Sequence, residues 1–484
     1  MKQKLLLAIA LIAFLTNNAQ VIKVKEINNF EDDSSSPTNL FVYNNKIYFQ
    51  ADDQNGSNTP GGADLGDELW VTDGTEAGTT FVKDLRTGSD SSSPSFFFQL
   101  NGTMYFSANL GSGNVLFSSD GTEAGTTATG GSFIFNPLEL GGLIYYIDTT
   151  DDNGLYTFDG TAQTKVANVA TENVNFLGAN FTTLNGKIIG YGELAGTEAT
   201  IGTELYEYDP ATDSYTLIKD IATGTTTNGD NEVNANNSGI SNLVNLGTEV
   251  YFEAEGKVWK TDGTTDGTVA VDKADAINGI SELFVWNGNL YFEGDDGSND
   301  QLWKYDPVAD TVLNVSNITG STATGGNNHD PSDYAAFGSY LYYRGELSDN
   351  SNGYLFRTNG TTSEIVDSTI KDIDEITVLN GILYFEGDDG TTGNELYSVD
   401  PSTLSTENNS LEIVKVFPNP TSNFINVPSK LIDSNYVIYS VIGKEVQKGK
   451  ITSEKISVVT LSKGNYILKL NSDNTSIIRK IIIE

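Results

Sequence analysis

Three pairs of adjacent carboxylates, Asp52-Asp53, Asp295-Asp296 and Asp388-Asp389, each open a glycine-bearing loop. Hard divalent cations want six to eight oxygens, and aspartates with glycine-permitted backbone carbonyls can supply them, so these six residues are the candidate calcium ligands. None of the loops has the Asp-x-Asp-x-Asp-Gly spacing with a closing glutamate, and Asp and Gly are also ordinary turn residues, so a structural role competes with the metal one. Other chemistry is sparse. There is one histidine, His329, and no cysteine. Thiol catalysis is thereby excluded, and a Ser-His-Asp site would rest on His329 alone, read here as an exposed loop residue beside Asp330. Arg86, Arg344 and Arg357 are too scattered to form an anion-binding triad. Glycoside hydrolysis needs only two carboxylates at the right separation, but the sequence singles out no pair.

A repeat must position these residues. An Asp-Gly, Asp-Pro or Asn-Gly element returns at Asp73, Asp120, Asp159, Asp209, Asp262, Asp306, Asn359 and Asp400, eight times at intervals of about 47 residues. A second series of turns runs in register with it. Asn44-Asn45, Asn101-Gly102, Gly141-Gly142, Asn185-Gly186, Gly247-Thr248, Asn287-Gly288, Gly338-Ser339 and Asn380-Gly381 each precede a short apolar strand, such as Ile47-Tyr48-Phe49. Asn-Gly and Asp-Gly tolerate the positive φ angles of tight hairpins. One unit therefore reads as four antiparallel strands: 40–43, 47–51, 69–71 and 81–85. Such a meander cannot bury its faces alone, whereas eight stacked around an axis can, which predicts an all-β, eight-bladed β-propeller, with seven blades as the alternative. The first strand, 21–27, resembles 81–85, and the eighth unit lacks a fourth strand of its own. Pairing the two would close the ring and remove an exposed edge. The tight turns then share one face, and the Asp-rich loops and the crossovers share the other, where a binding site is expected.

Lys2 and Lys4 precede the apolar run 5–15, followed by polar residues and Ala19-Gln20. That layout predicts a secretory signal peptide over 1–19, and no other stretch reads as a membrane span. The whole chain carries 27 basic and 65 acidic residues. From Leu411 onward there are ten Lys/Arg and six Asp/Glu, and Lys2 and Lys4 lie in the signal. The segment 20–410 therefore keeps 15 basic against 59 acidic residues, a surface that repels nucleic acid and anionic membranes.

Two resemblances add to this reading. Glu68-Leu69-Trp70-Val71-Thr72-Asp73-Gly74-Thr75-Glu76-Ala77-Gly78-Thr79, with weaker copies at 119–126 and 261–268, resembles the ELWxTDGTxxGT repeat of large exported bacterial proteins, some labelled hyalin-like. It implies an extracellular propeller-like array without naming a ligand. The residues from Leu411 to Glu484 resemble the type A sorting domain of the type IX secretion system of Bacteroidota. Pro418, Asn419 and Pro420 match its opening motif, Gly443 its middle strand, Gly464 and Tyr466 its Gly-x-Tyr strand, and Lys480 its terminal basic strand. Read from the residues alone, this region is a small β-sandwich. The resemblance implies export through the periplasm to the outer surface or the medium, with the type IX machinery as partner and cleavage at or just beyond 401–410.

The expected organisation is a signal peptide at 1–19, a propeller at 20–400, a linker at 401–410 and a sorting domain at 411–484. The expected function is a secreted or surface-held, non-enzymatic binding or adhesion protein with an extracellular ligand, a glycan among the candidates. The alternative is a carbohydrate-active enzyme, a hydrolase or lyase, using carboxylates near the propeller axis.

Overall fold

A computed structural model describes residues 21–28, 33–54, 58–59, 62–148, 154–166, 174–194, 200–227, 233–297, 300–317, 329–347, 352–404, 416–417, 419–428, 431–432, 434–440, 444–472 and 475–484. The expected signal peptide, most of the linker, Pro418 and Gly443 lie outside these residues. The chain divides into two compact units, Met1–Leu404 and Ser405–Glu484.

The first unit is built from four-stranded antiparallel sheets, and no α-helix occurs among the described residues. Sheet one comprises Thr38–Tyr43, Lys46–Ala51, Glu68–Thr72 and Thr80–Lys83, paired in chain order. The same meander recurs at 95–132, 138–165, 174–219, 241–270, 278–314 and 332–365. In sheet eight the chain supplies Lys371–Leu379, Ile382–Asp388 and Asn394–Val399. The fourth position is taken by Ile22–Lys25, with Ile22 opposite Ser398 and Lys23 opposite Tyr397. The turn residues behave as their types require. Asn101, Asn185, Asn287 and Asn380, with the glycines that follow them, all hold positive φ.

The apolar residues do not form one core. They form layers between consecutive sheets: Tyr43, Leu69 and Val71 of sheet one meet Met104, Phe106 and Phe117 of sheet two. Similar layers join each following pair. Leu379, Tyr384 and Leu396 of sheet eight, with Val24 and Ile27, pack on Ile47, Phe49 and Trp70 of sheet one.

Polar joints accompany these layers, and three are nearly identical. Glu68 opens the third strand of sheet one and is fully buried. Its carboxylate accepts from the backbone N–H of Leu85 at 2.8 Å and of Arg86 at 3.3 Å, and from Ser92 Oγ at 2.7 Å. It thus ties the strand leaving sheet one to the segment entering sheet two. Glu204 repeats this with Ile221 N–H at 2.7 Å, Ala222 N–H at 3.4 Å and the Ser238 hydroxyl. Glu395 repeats it with Ile27 N–H at 2.9 Å, Asn28 N–H at 3.0 Å and Ser35 Oγ at 2.7 Å. Burial pushes each of the three carboxyls up to about 7, against the hydrogen bonds that hold it down.

The Asp-Gly turn is equally regular. Asp73 Oδ1 accepts from the Thr75 N–H and hydroxyl at 3.0 and 2.7 Å, while the Thr72 and Thr79 hydroxyls share a hydrogen bond of 2.7 Å. Asp120 and Asp262 reproduce both features. Neighbouring sheets also bond to these loops. Lys25 Nζ donates to Thr79 O at 2.9 Å, Lys83 Nζ to Thr126 O at 2.5 Å and Lys219 Nζ to Thr268 O at 2.6 Å.

In the second unit, Asn435–Ser440, Glu445–Lys450, Gly464–Ser472 and Thr475–Ile483 form one sheet, and Phe424–Asn426 pairs with Lys455–Ser457. Ile425, Ile438, Ile456, Val458, Leu468 and Ile481 are buried together between them. Asn419 is the pivot of the opening motif: its side-chain amide donates to Lys480 O at 2.9 Å and accepts from Ile482 N–H at 2.8 Å. The Tyr466 hydroxyl donates to Ser462 O at 2.8 Å. Gly464 starts its strand at φ 155°.

Candidate functional site

In each four-stranded meander the first strand starts, the second ends and the third begins at the same end of the sheet. That end carries the Asp-rich loops. The first strands share a distortion there. Asn39, Phe96, Asn242, Glu282, Asp333 and Glu375 all hold φ between 51° and 59°, where the pairing register slips. Such bulges bend a strand and re-aim its side chains, and for residues as large as Phe and Glu this backbone region is strained. Three of the six are acids, contributed by sheets six, seven and eight.

Around them lie further carboxyls. Glu293, in the second strand of sheet six, accepts from Ser281 Oγ. Burial pushes its carboxyl up to about 7, reinforced by Asp300, Asp330 and Glu282. One carboxylate oxygen from each of Glu293, Asp300 and Asp330 lies within 4.8 Å of the others, and all three residues are half-buried. Three carboxylate oxygens at this spacing can hold a hard divalent cation if further oxygens complete its shell. Arg344 stands beside them, donating to Asp330 O at 3.2 Å and to Glu346 Oε1 at 3.0 Å. In sheets seven and eight, burial and a hydrogen bond with Asp374 raise the Asp333 carboxyl. Glu375 is raised by burial while accepting from Leu40 N–H at 3.3 Å. Glu386 is pushed up to about 7 by burial, with Asn394 donating to it at 2.8 Å.

The six nominated aspartates occupy equivalent places but not one site. Asp52 carries a buried Oδ1 without a hydrogen-bond partner, and burial with Asp67, Asp64 and Asp53 nearby pushes its carboxyl up to about 6. Asp53 is buried and accepts from Asn58 N–H. Asp295 accepts from Gly297 N–H at 2.7 Å, and Asp296 is exposed. Asp388 accepts from Gly390 N–H at 2.6 Å and pairs with Lys371 at 2.9 Å. Asp389 binds the Thr391 N–H and hydroxyl at 2.9 and 2.6 Å, and Lys23 at 3.3 Å. The pair in sheet eight is thus neutralised by lysines and engaged in its own turn. Nothing in the sequence singles out Glu293, Asp300 and Asp330 as a group. Their one signal was proximity to Asp295 and to His329, since the three come together only when sheets six and seven meet.

His329 is a correction to the exposed-loop reading. It is fully buried, with its N–H on Asp300 O at 2.9 Å and its ring against Phe356 and Tyr343. Nδ1 lies 2.6 Å from Glu346 O and therefore carries the proton, leaving Nε2 to accept from the Tyr343 hydroxyl at 3.0 Å. Burial holds its pKa down at about 4. Both ring nitrogens are spent on the fold, so this imidazole is no general base. The Asp333 and Asp374 carboxyls touch directly, unlike the separated pair that glycoside hydrolysis uses.

Residues 415–484 match the family model described as "Secretion system C-terminal sorting domain". The chain therefore carries a type IX sorting tail, which marks it for the cell surface or for secretion. No helix among the described residues is long and apolar enough to cross a membrane. Among curated proteins, beta-agarase A of Zobellia galactanivorans is 39% identical over 67 residues, 13% of this chain and 12% of that protein, so the chain matches about an eighth of its relative's length. Among solved structures, PorZ of Porphyromonas gingivalis, described as a bacterial surface component of the type IX secretion system, is 14% identical with a TM-score of 0.40. That similarity covers 91% of this chain and 64% of PorZ. The β-propeller domain of the Trilobed protease from Pyrococcus furiosus is 9% identical with a TM-score of 0.37, covering 64% of this chain and 94% of that domain.

Proposed function

We propose that this chain is an exported, non-enzymatic binding protein, built as a closed eight-bladed β-propeller, that presents its acidic loop face to an extracellular ligand. The reading takes 1–19 as the signal peptide, the residues from Gln20 to the end of the first unit as the working domain, and the tail as its address to the type IX machinery. Ring closure is supported by the equivalence of the eighth joint to the internal ones: Glu395 does for Ile27 and Asn28 what Glu68 does for Leu85 and Arg86.

The observation that carries the binding reading is the gathering of half-buried carboxyls at one end of sheets six to eight, centred on Glu293, Asp300 and Asp330. Such a surface suits a divalent cation, calcium above all by ligand chemistry, and a cation held there would let a hydroxyl-rich glycan coordinate to a face that otherwise repels anions. The six aspartates of the Asp-rich loops belong to the same proposal, Asp52 and Asp53 more than the lysine-paired Asp388 and Asp389. A carbohydrate-active enzyme is the weaker reading, because His329 is committed to the fold and the Asp333 and Asp374 carboxyls are in contact rather than separated. The test is the melting temperature of the mature chain in calcium and then in chelator, since a ligand that binds only the folded state must raise it. A rise of several degrees that Asp300→Asn removes supports the reading. An unchanged melting temperature reduces these residues to turns and solubility.

A further inference from the structure

Three segments of this chain share the pattern apolar-Lys-acid-apolar: Val82-Lys83-Asp84-Leu85, Ile218-Lys219-Asp220-Ile221 and Val24-Lys25-Glu26-Ile27. In each, both apolar residues are buried and the last one gives its N–H to a latch glutamate: Glu68, Glu204 or Glu395. In each, the lysine reaches forward to a threonine carbonyl of the next sheet's Asp-Gly loop. Two of the segments are continuous with the sheet they complete. The third reaches Glu395 from 368 residues away.

From this we infer that the edge of Asn394–Val399, together with Glu395, is a strand-accepting site for an extended apolar-Lys-acid-apolar peptide, filled by the chain's own residues 22–28. Recognition has three parts. The strand pairs with Ser398, Tyr397 and Leu396. Val24 and Ile27 enter the apolar layer with Leu396, Tyr384 and Trp70. The two N–H groups after the strand point at a buried carboxylate, which fixes register, because a shift of one residue would present side chains of the wrong face. Lys23, paired with Asp389 and bonded to Thr392, and Lys25 on Thr79 O secure the ends. Each of these contacts is non-covalent, so the tether to residue 33 and beyond adds effective concentration but no bond of its own. The segment should therefore be held when it is no longer part of the chain, as in peptide recognition by strand addition.

This inference rests on the closure part of the reading above and not on the acidic face, so the calcium experiment and the following one fail independently. A protease site is placed between Asn29 and Asp32 of the otherwise complete mature chain, the folded protein is nicked, and gel filtration asks whether the N-terminal fragment co-elutes. Retention is expected. A large excess of labelled synthetic peptide covering residues 20–29 should exchange into the nicked protein, whereas the same peptide with Ile27→Pro, which lacks the N–H offered to Glu395, should exchange at least tenfold less. Glu395→Ala should release the fragment on nicking. If that variant does not accumulate as folded protein, Lys25→Met reads the same site from the strand side and should weaken retention. Loss of the fragment from the unsubstituted nicked protein, or equal uptake of the native and Ile27→Pro peptides, would overturn the inference.

Discussion

At the scale of single residues, the chain invests buried carboxylates in holding backbone amides. Removing one partner of such a set leaves donors buried without acceptors, at about 1 to 3 kcal/mol each. Glu68→Ala strands the Leu85 and Arg86 amides and the Ser92 hydroxyl. It should cost about 3 kcal/mol or more in a denaturant titration, whereas Glu68→Gln, which keeps an acceptor, should cost about 1 kcal/mol. The latches also carry a pH signature. Their folded values of about 7 lie above the ordinary 4.5, so between those limits the folded state binds more protons than the unfolded one. Their contribution to stability is complete below about 4.5 and is lost as pH rises towards 7. His329 acts in the opposite sense: its value of about 4 lies below the ordinary 6.5, so its contribution is present above 6.5 and is lost as pH falls towards 4. Replacing Glu68, Glu204 and Glu395 together by Gln should flatten the decline in denaturation midpoint between pH 4.5 and 7, and a slope unchanged from the parent would contradict the assignment.

At the scale of elements, the glycines of the Asp-Gly turns are where one sheet approaches the next. A Cβ on Gly74 would lie 2.1 Å from the Tyr384 hydroxyl of sheet eight, and one on Gly121 equally close to the Tyr48 hydroxyl of sheet one. Both glycines also hold left-handed φ, 93° and 90°. Gly102 is left-handed too, at 82°, but its added Cβ would meet nothing within 4 Å. Gly102→Ala should therefore cost only the backbone term of about 1 kcal/mol. Gly74→Ala and Gly121→Ala should cost clearly more, and about equally, measured as melting temperature. Equal losses at Gly74 and Gly102 would mean that sheets eight and one are not in contact.

These contacts show which parts of the fold were legible in the sequence. The turns were, because Asn-Gly and Asp-Gly report their own backbone angles, and so was the kinship of residues 21–27 with 81–85. The latch glutamates were not, because Glu68 reads as one more strand residue until Leu85 is known to return to it. A signal was nonetheless present: Glu-Leu-Trp or Glu-Leu-Tyr at Glu68, Glu204 and Glu395 occurs in the same three joints as the apolar-Lys-acid-apolar segments. The lysine partners of Asp388 and Asp389 were illegible for the same reason. Lys371 is 17 residues away and Lys23 is 366, and only the folded sheet joins them.

At the scale of the whole molecule, the segment 20–410 is strongly acidic and the tail is basic, which suits a cargo and an address that work apart. Deleting residues 415–484 should leave the protein in the periplasm, read by fractionation of cells and medium, and Asn419→Ala should impair export by freeing the strand that carries Lys480 and Ile482. Cargo found in the medium after the deletion would contradict the role given to the tail.

In the proposed closed ring, the N-terminal strand makes the last joint in the same way that internal strands make the others. Native-state amide hydrogen exchange tests it directly, because buried, hydrogen-bonded amides exchange only through opening. The amides of Ile27 and Asn28 should exchange as slowly as those of Leu85, Arg86, Ile221 and Ala222. Exchange of Ile27 and Asn28 at the rate of an unstructured peptide, while the other four stay protected, would contradict the closed ring.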